Sequence, residues 1–404
     1  MKKLLQITLG IVTSVGGFLE IGSVTTAAQA GAAFGYKLLW AILLGTLCLI
    51  FLVEMAGRLS AVSKHTIVDA MRERFGFPFF FIVLVGMVLV SFLVLIAELG
   101  GVGLSLQLLT GIGFPWWAIP VSLLVWLLMW KGTFGLIENG ASLLGLVTIS
   151  FIVAAVRLHP DWSGVASGLA PAMRHTNKAH YGFIAVSILG ASISPYLMYF
   201  YSSGAIEDEW DESYIGVNRF IATFGMTFGG VLSMAVLIAA ALALQPRGIR
   251  VDTFQKGALL MTTGLPRWGF YLFATSMLVA CFGAALEVSL AIAYFFAQGF
   301  GWKWGEDLEP AKDARFAFVY TVIILLAAIP LVFGIDPLKV TIMSMALTAA
   351  TLPLAIIPFL FLMNDSTYMG KHGNGWIGNS VVAIIIVISF VLAVITIPLQ
   401  IIGG

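Results

Sequence analysis

The sequence predicts an all-α membrane protein with about eleven membrane-spanning helices. Its 404 residues are 60% hydrophobic and only 10% charged, and the mean hydropathy is +1.02. About a quarter of the residues of a soluble protein are charged, so these few charges could not cover a water-exposed surface. Apolar segments also recur along the whole chain, which indicates an integral protein in contact with the lipid bilayer.

Apolar length sets the bounds of the predicted spans, because a helix needs about 20 apolar residues to cross the hydrocarbon core. Lys2 and Lys3 before the first span also resemble the start of a signal peptide, but glycines and Glu20 interrupt the apolar run, so we interpret it as a membrane span. Numbered one to eleven in chain order, the spans cover roughly residues 8–33, 36–57, 79–108, 115–130, 133–157, 181–203, 217–244, 268–298, 315–333, 340–363 and 376–399.

Basic residues predict how these spans are oriented. The loop between spans two and three carries Arg58, Lys64, Arg72 and Arg74, and loops rich in Lys and Arg face the cytoplasm. The N-terminus is therefore expected inside a plasma (inner) membrane and, with an odd number of spans, the C-terminus outside. The basic loop over residues 247–267 opposes this orientation, but the rule is weaker for longer loops.

Two spans contain residues that interrupt a helix. Span one holds GGFLEIGS at 16–23, and span six holds GASISPY at 190–196. Glycine costs about 1 kcal/mol and proline about 3 kcal/mol inside a helix, and proline also lacks an N–H donor. We expect breaks at Gly22 and Pro195, because an unwound backbone is tolerated in lipid only where protein or a water-filled cavity satisfies it.

The two breaks occupy the first span of each five-span half. Interrupted helices at matching positions are the sequence signature of transporters built from inverted repeats, with the substrate near the bilayer midplane. We therefore expect one transporter domain over residues 1–404, with one repeat at about 8–157, a second at about 181–363 and an extra helix at about 376–399.

Glu20 lies within the first of these breaks. An acid at membrane depth costs roughly 3 kcal/mol, so it is expected to face a polar site rather than lipid. The alternative is that Glu20 pairs with a basic residue elsewhere in the bundle. No Lys or Arg lies centrally in any predicted span, which disfavours that alternative.

Four further acids lie inside or at the ends of spans. Glu98 is in span three, and Glu287 in span eight has no predicted role. Glu138, near the start of span five, is interpreted as structural or gating, and Glu54 as the partner of Arg58 four residues later. The acidic stretch AIEDEWDES after span six is either a solvated surface loop or a rim that attracts cations.

Several function classes are disfavoured. The net charge of +1 gives no reason to expect nucleic acid as a partner. The two cysteines, Cys48 and Cys281, lie in apolar runs and are interpreted as small core residues. The chain has no HxxxH or CxxC spacing, no nucleophile–base pair and no phosphate-binding loop, so we expect neither an enzyme nor a cofactor.

Six short motifs then occur in order along the chain: QAGA at 29–32, FGYKLLW at 34–40, AE at 97–98, PDW at 160–162, LPLAIIP at 352–358 and MG at 369–370. Together, and over most of its length, the chain resembles the Nramp family of divalent-metal transporters. The resemblance implies a LeuT-type fold of two inverted five-helix repeats. It also implies a divalent metal ion as the substrate.

The chain departs from the family at the metal site. The family's Asp-Pro-Gly-Asn in span one stands here as EIGS at 20–23, and its Met-Pro-His in span six as SPY at 194–196. The family's span-ten glutamine aligns with Met345, and an additional acid of its third span with Leu95. The resemblance implies metal ligands at Glu20, Ser23, Ala191, Ser194 and Met345, beside the break residues Gly22 and Pro195 and the substrate path at Tyr196.

The implied ligands predict which ions are preferred. A carboxylate, two hydroxyls and the Ala191 carbonyl form an all-oxygen set, which suits hard cations such as Mg²⁺ or Mn²⁺. Such a set discriminates less well in favour of Fe²⁺, Co²⁺ or Cd²⁺. Met345 adds a soft ligand if it faces the site, and otherwise it is an ordinary packing residue.

Coupling to protons is left open. The family's span-six histidine is Tyr196 here, and a tyrosine does not titrate near neutral pH. Glu98 is a candidate proton carrier, a second acid that attracts cations, or the acceptor of a structural hydrogen bond from a neighbouring helix.

Three functions fit these observations. The first is a secondary transporter that moves Mg²⁺ or Mn²⁺ by alternating access. The second is a LeuT-type transporter of a small organic cation or amino acid, with Phe18, Tyr196 and Tyr199 lining its pocket. The third is a membrane sensor or scaffold, which the lack of a soluble domain disfavours. The oligomeric state is not predicted.

Overall fold

The computed structural model describes residues 20–131, 146–171, 178–266, 268–305, 308–310 and 313–403. In these ranges the regular structure is helical, and they contain no strand. The first part of predicted span one, with Phe18, lies outside the described residues. So does the first part of span five, with Glu138.

Within the described ranges we number the α-helices in chain order. Four of them, α3, α7, α11 and α15, are short and lie between predicted spans. The bounds are α1 Ile21–Phe34, α2 Leu39–Ser63, α3 Ile67–Phe75, α4 Phe77–Thr110, α5 Phe114–Trp130, α6 Ser150–Arg157, α7 Trp162–Gly168, α8 Lys178–Ser192, α9 Pro195–Glu207, α10 Ile215–Ala243, α11 Phe254–Gly264, α12 Gly269–Phe300, α13 Ala314–Val332, α14 Pro337–Asn364, α15 Ser366–Met369 and α16 Trp376–Gly403.

Long apolar helices account for the membrane-embedded part. Eight stretches of the described chain are long and apolar enough to cross a bilayer; one of them contains both α1 and α2, and another contains α8 and α9. Two shorter apolar helical stretches, Phe114–Trp130 and Leu146–Arg157, accompany them. A helix falls within each predicted span, and the all-α membrane fold is confirmed.

Short capped helices occupy three segments that the sequence suggested as loops. The Thr66 hydroxyl accepts the Asp69 N–H at the start of α3, and Asp161 caps α7 in the same way. Thr253 caps α11. A side-chain oxygen at this position satisfies an N–H that the helix itself leaves open, so these segments are helical although they are too short to span a membrane.

Glycines allow the central helices to approach closely. A Cβ on Gly31 of α1 would lie 2.2 Å from the Leu237 carbonyl of α10. A Cβ on Gly101 of α4 would lie 2.6 Å from the Cys281 Sγ of α12. Helix α1 is thereby packed against α10 and surrounded by α4, α8, α12 and α14, which places its first residues in the interior of the bundle.

The predicted break in span six is confirmed, and it is short. Helix α8 ends at Ser192 and α9 begins at Pro195, so only Ile193 and Ser194 are non-helical. Proline is favoured in the first turn of a helix, where the missing N–H would have no partner within the helix.

The start of α1 corrects one prediction. Glu20 has an extended backbone, with φ −112° and ψ 171°, and the helix begins at Ile21. Gly22, predicted as the break, therefore lies in the first helical turn. Glycine's helix-breaking tendency is weak, and here tertiary packing overrides it.

Candidate metal-binding site

Glu20 and Ser23 together form the start of α1. The Glu20 N–H donates to Ser23 Oγ at 3.1 Å, and the Ser23 hydroxyl donates back to the Glu20 carbonyl at 3.0 Å. The Ser23 hydroxyl thus connects the capping residue to the first turn of the helix, as in other side-chain caps. Ser23 is at the predicted site, but its hydroxyl already stabilises the helix start.

The carboxyl group of Glu20 is buried and incompletely paired. Glu20 is only 1% exposed, and its side chain is hydrogen-bonded with Tyr196 of α9. Its second oxygen, Oε2, is buried with no hydrogen-bond partner among the described residues. Because buried polar atoms are nearly always satisfied, an open carboxylate oxygen is a suitable place for a cation to bind.

Glu98 of α4 contacts the same helix start from the other side. The Ile21 N–H donates to Glu98 Oε1 at 3.1 Å and lies 3.5 Å from Oε2. Glu98 is fully buried and is also hydrogen-bonded with the Cys281 thiol. The structural hydrogen bond considered for Glu98 is therefore present, while its role as a proton carrier stays a prediction.

The break in span six presents backbone and hydroxyl oxygens. In a continuous helix the Ala191 carbonyl would accept from the N–H four residues later, but that residue is Pro195, which has no N–H. Ser194 precedes α9, and its hydroxyl makes no capping hydrogen bond there. Ala191 and Ser194 are 5% and 8% exposed, so both oxygens are buried in the interior of the bundle.

Met345 of α14 lies between the start of α1 and the end of α8. A Cβ placed on Gly22 would be 2.6 Å from Met345 Cε, 3.1 Å from Met345 Sδ and 3.4 Å from Glu20 Oε1. A Cβ on Gly190 of α8 would be 2.9 Å from the Met345 carbonyl oxygen. The thioether and the Glu20 carboxylate therefore border the same small space.

Sequence reasoning underestimated two residues of α12. Cys281 was interpreted as a core residue, yet its thiol is hydrogen-bonded with Glu98. Glu287 is 6% exposed, and it lies close enough for its charge to act on Glu98 and Tyr196. The sequence did mark Glu287 as unusual, because an acid at membrane depth is costly. Its position close to Glu98 and Tyr196 could be seen only in the structure.

Side chains of the usual metal-binding types do not form a site by themselves. The described residues contain no group of three or more His, Cys, Asp or Glu side chains that could hold a metal ion. Any ion bound beside Glu20 would therefore also need carbonyl, hydroxyl or thioether ligands, or water.

The break between α8 and α9, beside the buried start of α1, belongs to a membrane protein of the LeuT-type fold. The chain superimposes on a manganese transporter from Eremococcus coleocola with a TM-score of 0.77, at 21% identity over 98% of this chain and 87% of that chain. MHP1, a nucleobase-cation-symport-1 family transporter, gives a TM-score of 0.63 at 16% identity, covering 98% of this chain and 91% of that one.

Residues 10–398 match the Nramp family, described as "Natural resistance-associated macrophage protein-like", and the chain belongs to this family. It is 26% identical to the divalent metal cation transporter MntH of Deinococcus radiodurans, over 87% of this chain and 80% of that protein. It is 25% identical to MntH of Pectobacterium carotovorum, over 94% and 91%.

Family membership makes the protein an integral membrane transporter of divalent metal cations and not an enzyme. The metal is the transported substrate rather than a cofactor. The resemblance drawn from the sequence motifs is confirmed, and the alternative of an organic cation or amino acid is not favoured.

Proposed function

We propose that this protein moves Mn²⁺, and secondarily Mg²⁺, across the plasma membrane by alternating access. The observation that carries the proposal is the buried Glu20 carboxylate beside the break in span six, one oxygen of which has no hydrogen-bond partner among the residues that the structure describes. Interrupted helices at the midplane hold the substrate in transporters built from inverted repeats. The manganese transporter named above and the two MntH proteins support a divalent transition metal as the substrate.

The surrounding oxygens support a cation with hard character. Glu20 supplies the charge, and the Ala191 carbonyl and Ser194 hydroxyl supply neutral oxygens from the span-six break. A single carboxylate with neutral oxygens resembles the sites in which Mg²⁺ and Mn²⁺ keep several of their waters. Ser23 completes the predicted set only if its oxygen binds the ion while still capping α1.

We further propose that the N-terminus is cytoplasmic and the C-terminus outside. Arg58 lies near the end of α2, and Arg72 and Arg74 lie in α3 between α2 and α4. The excess of Lys and Arg in this region supports a cytoplasmic location. Proton movement through Glu98 stays a prediction, which a pH-sensitive dye inside vesicles tests directly.

The proposal is tested by Mn²⁺ uptake into proteoliposomes that contain the purified full chain. Wild-type protein should give saturable uptake. Glu20→Gln keeps the size of the side chain and removes its charge, so uptake should fall by about a hundredfold or more, as expected when a buried charged ligand is lost.

The matched control is Glu209→Gln, which removes one negative charge from an exposed position after α9 and should leave uptake unchanged. Equal uptake by wild-type protein and Glu20→Gln would remove Glu20 from the mechanism. Loss of uptake in Glu209→Gln as well would show that charge in general, rather than the Glu20 site, controls transport.

A further inference from the structure

We propose that Gln298 of α12 and Ser203 of α9 form the closing contact of a gate between the metal site and the cytoplasm, and that α9 is the helix that moves. This gate rests on the alternating access and the orientation proposed above, because a carrier keeps one end of its substrate path closed while the other is open. The sequence motifs did not single out Gln298.

Helix α9 is joined to the first half of span six only through a short break. Ile193 and Ser194 are non-helical, and Pro195 has no N–H to donate to the Ala191 carbonyl across the break. Residues at the ends of helices absorb the change in φ and ψ when one element moves against another. The position of α9 therefore depends on its contacts with the neighbouring helices.

Ser202 of α9 contacts α3 and α2. The Ile67 N–H is one of the first N–H groups of α3, which have no acceptor within their own helix, and it donates to Ser202 Oγ at 2.9 Å. The Ser60 hydroxyl of α2 donates to the Ser202 carbonyl at 3.0 Å. Both serines are fully buried. Interior hydrogen bonds thus join α9 to α3 and α2.

The next residue of α9, Ser203, contacts α12. Gln298 Nε2 donates to Ser203 Oγ at 2.8 Å. One turn earlier on α12, the Tyr294 hydroxyl donates to Glu207 Oε2 at 2.5 Å. Arg72 of α3 donates to the Gln298 carbonyl. These contacts join α9, α3 and α12 to one another at the end of the bundle that carries the basic residues.

Gln298 is buried, but only one end of its amide group is hydrogen-bonded. The Ser203 hydroxyl gives its hydrogen to the Tyr199 carbonyl at 3.1 Å, so toward Gln298 it can only accept, and it accepts from Nε2. Gln298 is 1% exposed, and its Oε1 has no partner in the part of the chain that the structure describes. A buried amide oxygen without a partner costs free energy, which contact with water would recover.

This partly bonded amide makes the closed gate easier to open. When α9 moves away from α12, Gln298 Oε1 gains water, which offsets the hydrogen bond that Nε2 loses to Ser203. An apolar side chain at this position would gain nothing from water and would keep the gate closed. Gln298 thus keeps the closed and open forms close in free energy, so that both are populated during transport.

Two substitutions should shift the gate in opposite directions. Ser203→Ala removes the acceptor of Gln298 Nε2 and leaves the whole amide unsatisfied in the closed form. Gln298→Met keeps an unbranched, adaptable side chain and removes the amide, so the closed form no longer buries an unpaired oxygen. We expect the ratio of open to closed protein to rise about tenfold in Ser203→Ala and to fall about tenfold in Gln298→Met.

Double electron–electron resonance on the detergent-purified full chain, without metal, measures this ratio. Spin labels on Glu209→Cys and Lys303→Cys, at exposed positions after α9 and after α12, report the separation of the two helix ends. The native Cys48 and Cys281 are buried, at 4% and 0% exposure, and should stay unlabelled. A second, longer distance should grow in Ser203→Ala and shrink in Gln298→Met.

The matched control is Gln107→Met, near the end of α4. This partly buried glutamine accepts the Phe114 N–H at 2.9 Å, a bond within the connection between α4 and α5, so its loss should leave the ratio unchanged. A purely structural contact would loosen α9 in both Ser203→Ala and Gln298→Met. Shifts of the same sign in these two variants, or unchanged distances in both, would therefore overturn the gate.

Mn²⁺ uptake by Glu20→Gln decides the metal site separately. Lost uptake in Glu20→Gln, together with unchanged distances in Ser203→Ala and Gln298→Met, would leave the metal site standing and overturn the gate. Uptake by Glu20→Gln at the wild-type rate would overturn the metal site and, with it, the gate that serves it.

Discussion

Two acids of this protein, Glu20 and Glu54, differ in how completely their carboxylate oxygens are hydrogen-bonded. Both Glu54 carboxylate oxygens accept from Arg58, at 3.1 and 3.2 Å. Arg58 also donates to the His372 carbonyl at 2.7 Å and to Asn374 Oδ1 at 2.8 Å. Glu20, by contrast, leaves one buried oxygen without a partner in the described part of the chain.

The helices around Glu54 are joined by further hydrogen bonds. Asn218 of α10 donates to the Glu54 carbonyl at 2.8 Å and accepts from the Tyr201 hydroxyl at 3.0 Å. Six residues further along α2, the Ser60 and Ser202 hydroxyls lie 2.8 Å apart. We call Glu54, Arg58, Asn218, His372 and Asn374 the polar cluster.

The difference between Glu20 and Glu54 distinguishes polar groups that hold helices together from polar groups that are available to bind a ligand. Polar groups that satisfy one another stabilise the packing of helices, because each buried group keeps its hydrogen bonds. A buried carboxylate oxygen without a partner costs free energy until a ligand binds it. Damage to the polar cluster should therefore lower stability, and damage around Glu20 should lower metal binding.

The largest expected effect on stability comes from Arg58→Ala. The Arg58 and Glu54 side chains are both only 13% exposed, so the substitution leaves a largely buried carboxylate without its main partner. We expect a loss of about 2–4 kcal/mol, because breaking a buried ion pair is far more costly than losing an exposed one. Thermal unfolding in detergent measures it.

Arg219→Ala is the matched control for this prediction. The Arg219 side chain is 69% exposed, and its Nη2 lies 3.9 Å from Glu54 Oε1. Its removal should therefore cost about 1 kcal/mol or less. Equal unfolding temperatures for the two variants would contradict a structural role for the polar cluster.

The next effect concerns Glu98, where two substitutions distinguish the contribution of its hydrogen bond from that of its charge. Glu98→Leu removes the acceptor of the buried Ile21 N–H, which costs about 1–3 kcal/mol. Because this bond positions the residue next to Glu20, Mn²⁺ binding should weaken by about tenfold. Glu98→Gln keeps an acceptor oxygen, so it should bind Mn²⁺ nearly as well as the wild-type protein in calorimetry. If Gln is as damaging as Leu, then the charge of Glu98 matters more than its hydrogen bond.

The smallest effect extends the polar cluster to the surface. Glu212 lies 3.1 Å from His372 Nε2 and 3.4 Å from Lys371 Nζ. Hydrogen bonds from His372 and Lys371 hold the pKa of the Glu212 carboxyl below its ordinary value of 4.5. A lowered pKa means that the pair contributes stability above pH 4.5 and loses it as the pH falls through the lowered value.

Glu212→Gln should therefore show a smaller drop in unfolding temperature than the wild-type protein when the pH is lowered from about 6 to about 3. The difference should be small, because both the carboxyl and the lysine are exposed. Parallel curves for the two proteins would show that this surface pair adds no stability.

The membrane architecture was predictable because it depends on local properties of the chain. Apolar length locates spans such as α10 and α12, and Pro195 locates the break in span six because its missing N–H has the same effect in any context. Gly22 was assigned to a break because glycine disfavours helices. In the structure a Cβ on Gly22 would lie 2.6 Å from Met345 Cε, and such a close approach between distant segments has no local signature.

Contacts between spans explain the other differences. Glu98 is 77 residues from Ile21 in sequence, and no periodicity indicates that its carboxylate binds the N–H of that residue. Cys281 looked like an apolar residue because its neighbours are apolar. The short helices α3, α7 and α11 were missed because a hydropathy search for spans does not register capped segments that are only 7 to 11 residues long.

The position of Glu20 and Glu98 at the beginning of α1 has a consequence for the unloaded protein. The amino end of a helix carries the equivalent of about half a positive charge, which partly neutralises a nearby anion. In the proposed transport cycle, Glu98 still accepts from the Ile21 N–H after the cation leaves, and both acids lie beside this positive end. An alternating-access transporter has to return to its starting conformation without substrate. In the proposed cycle, the positive end of α1 partly neutralises the two acids during this substrate-free step.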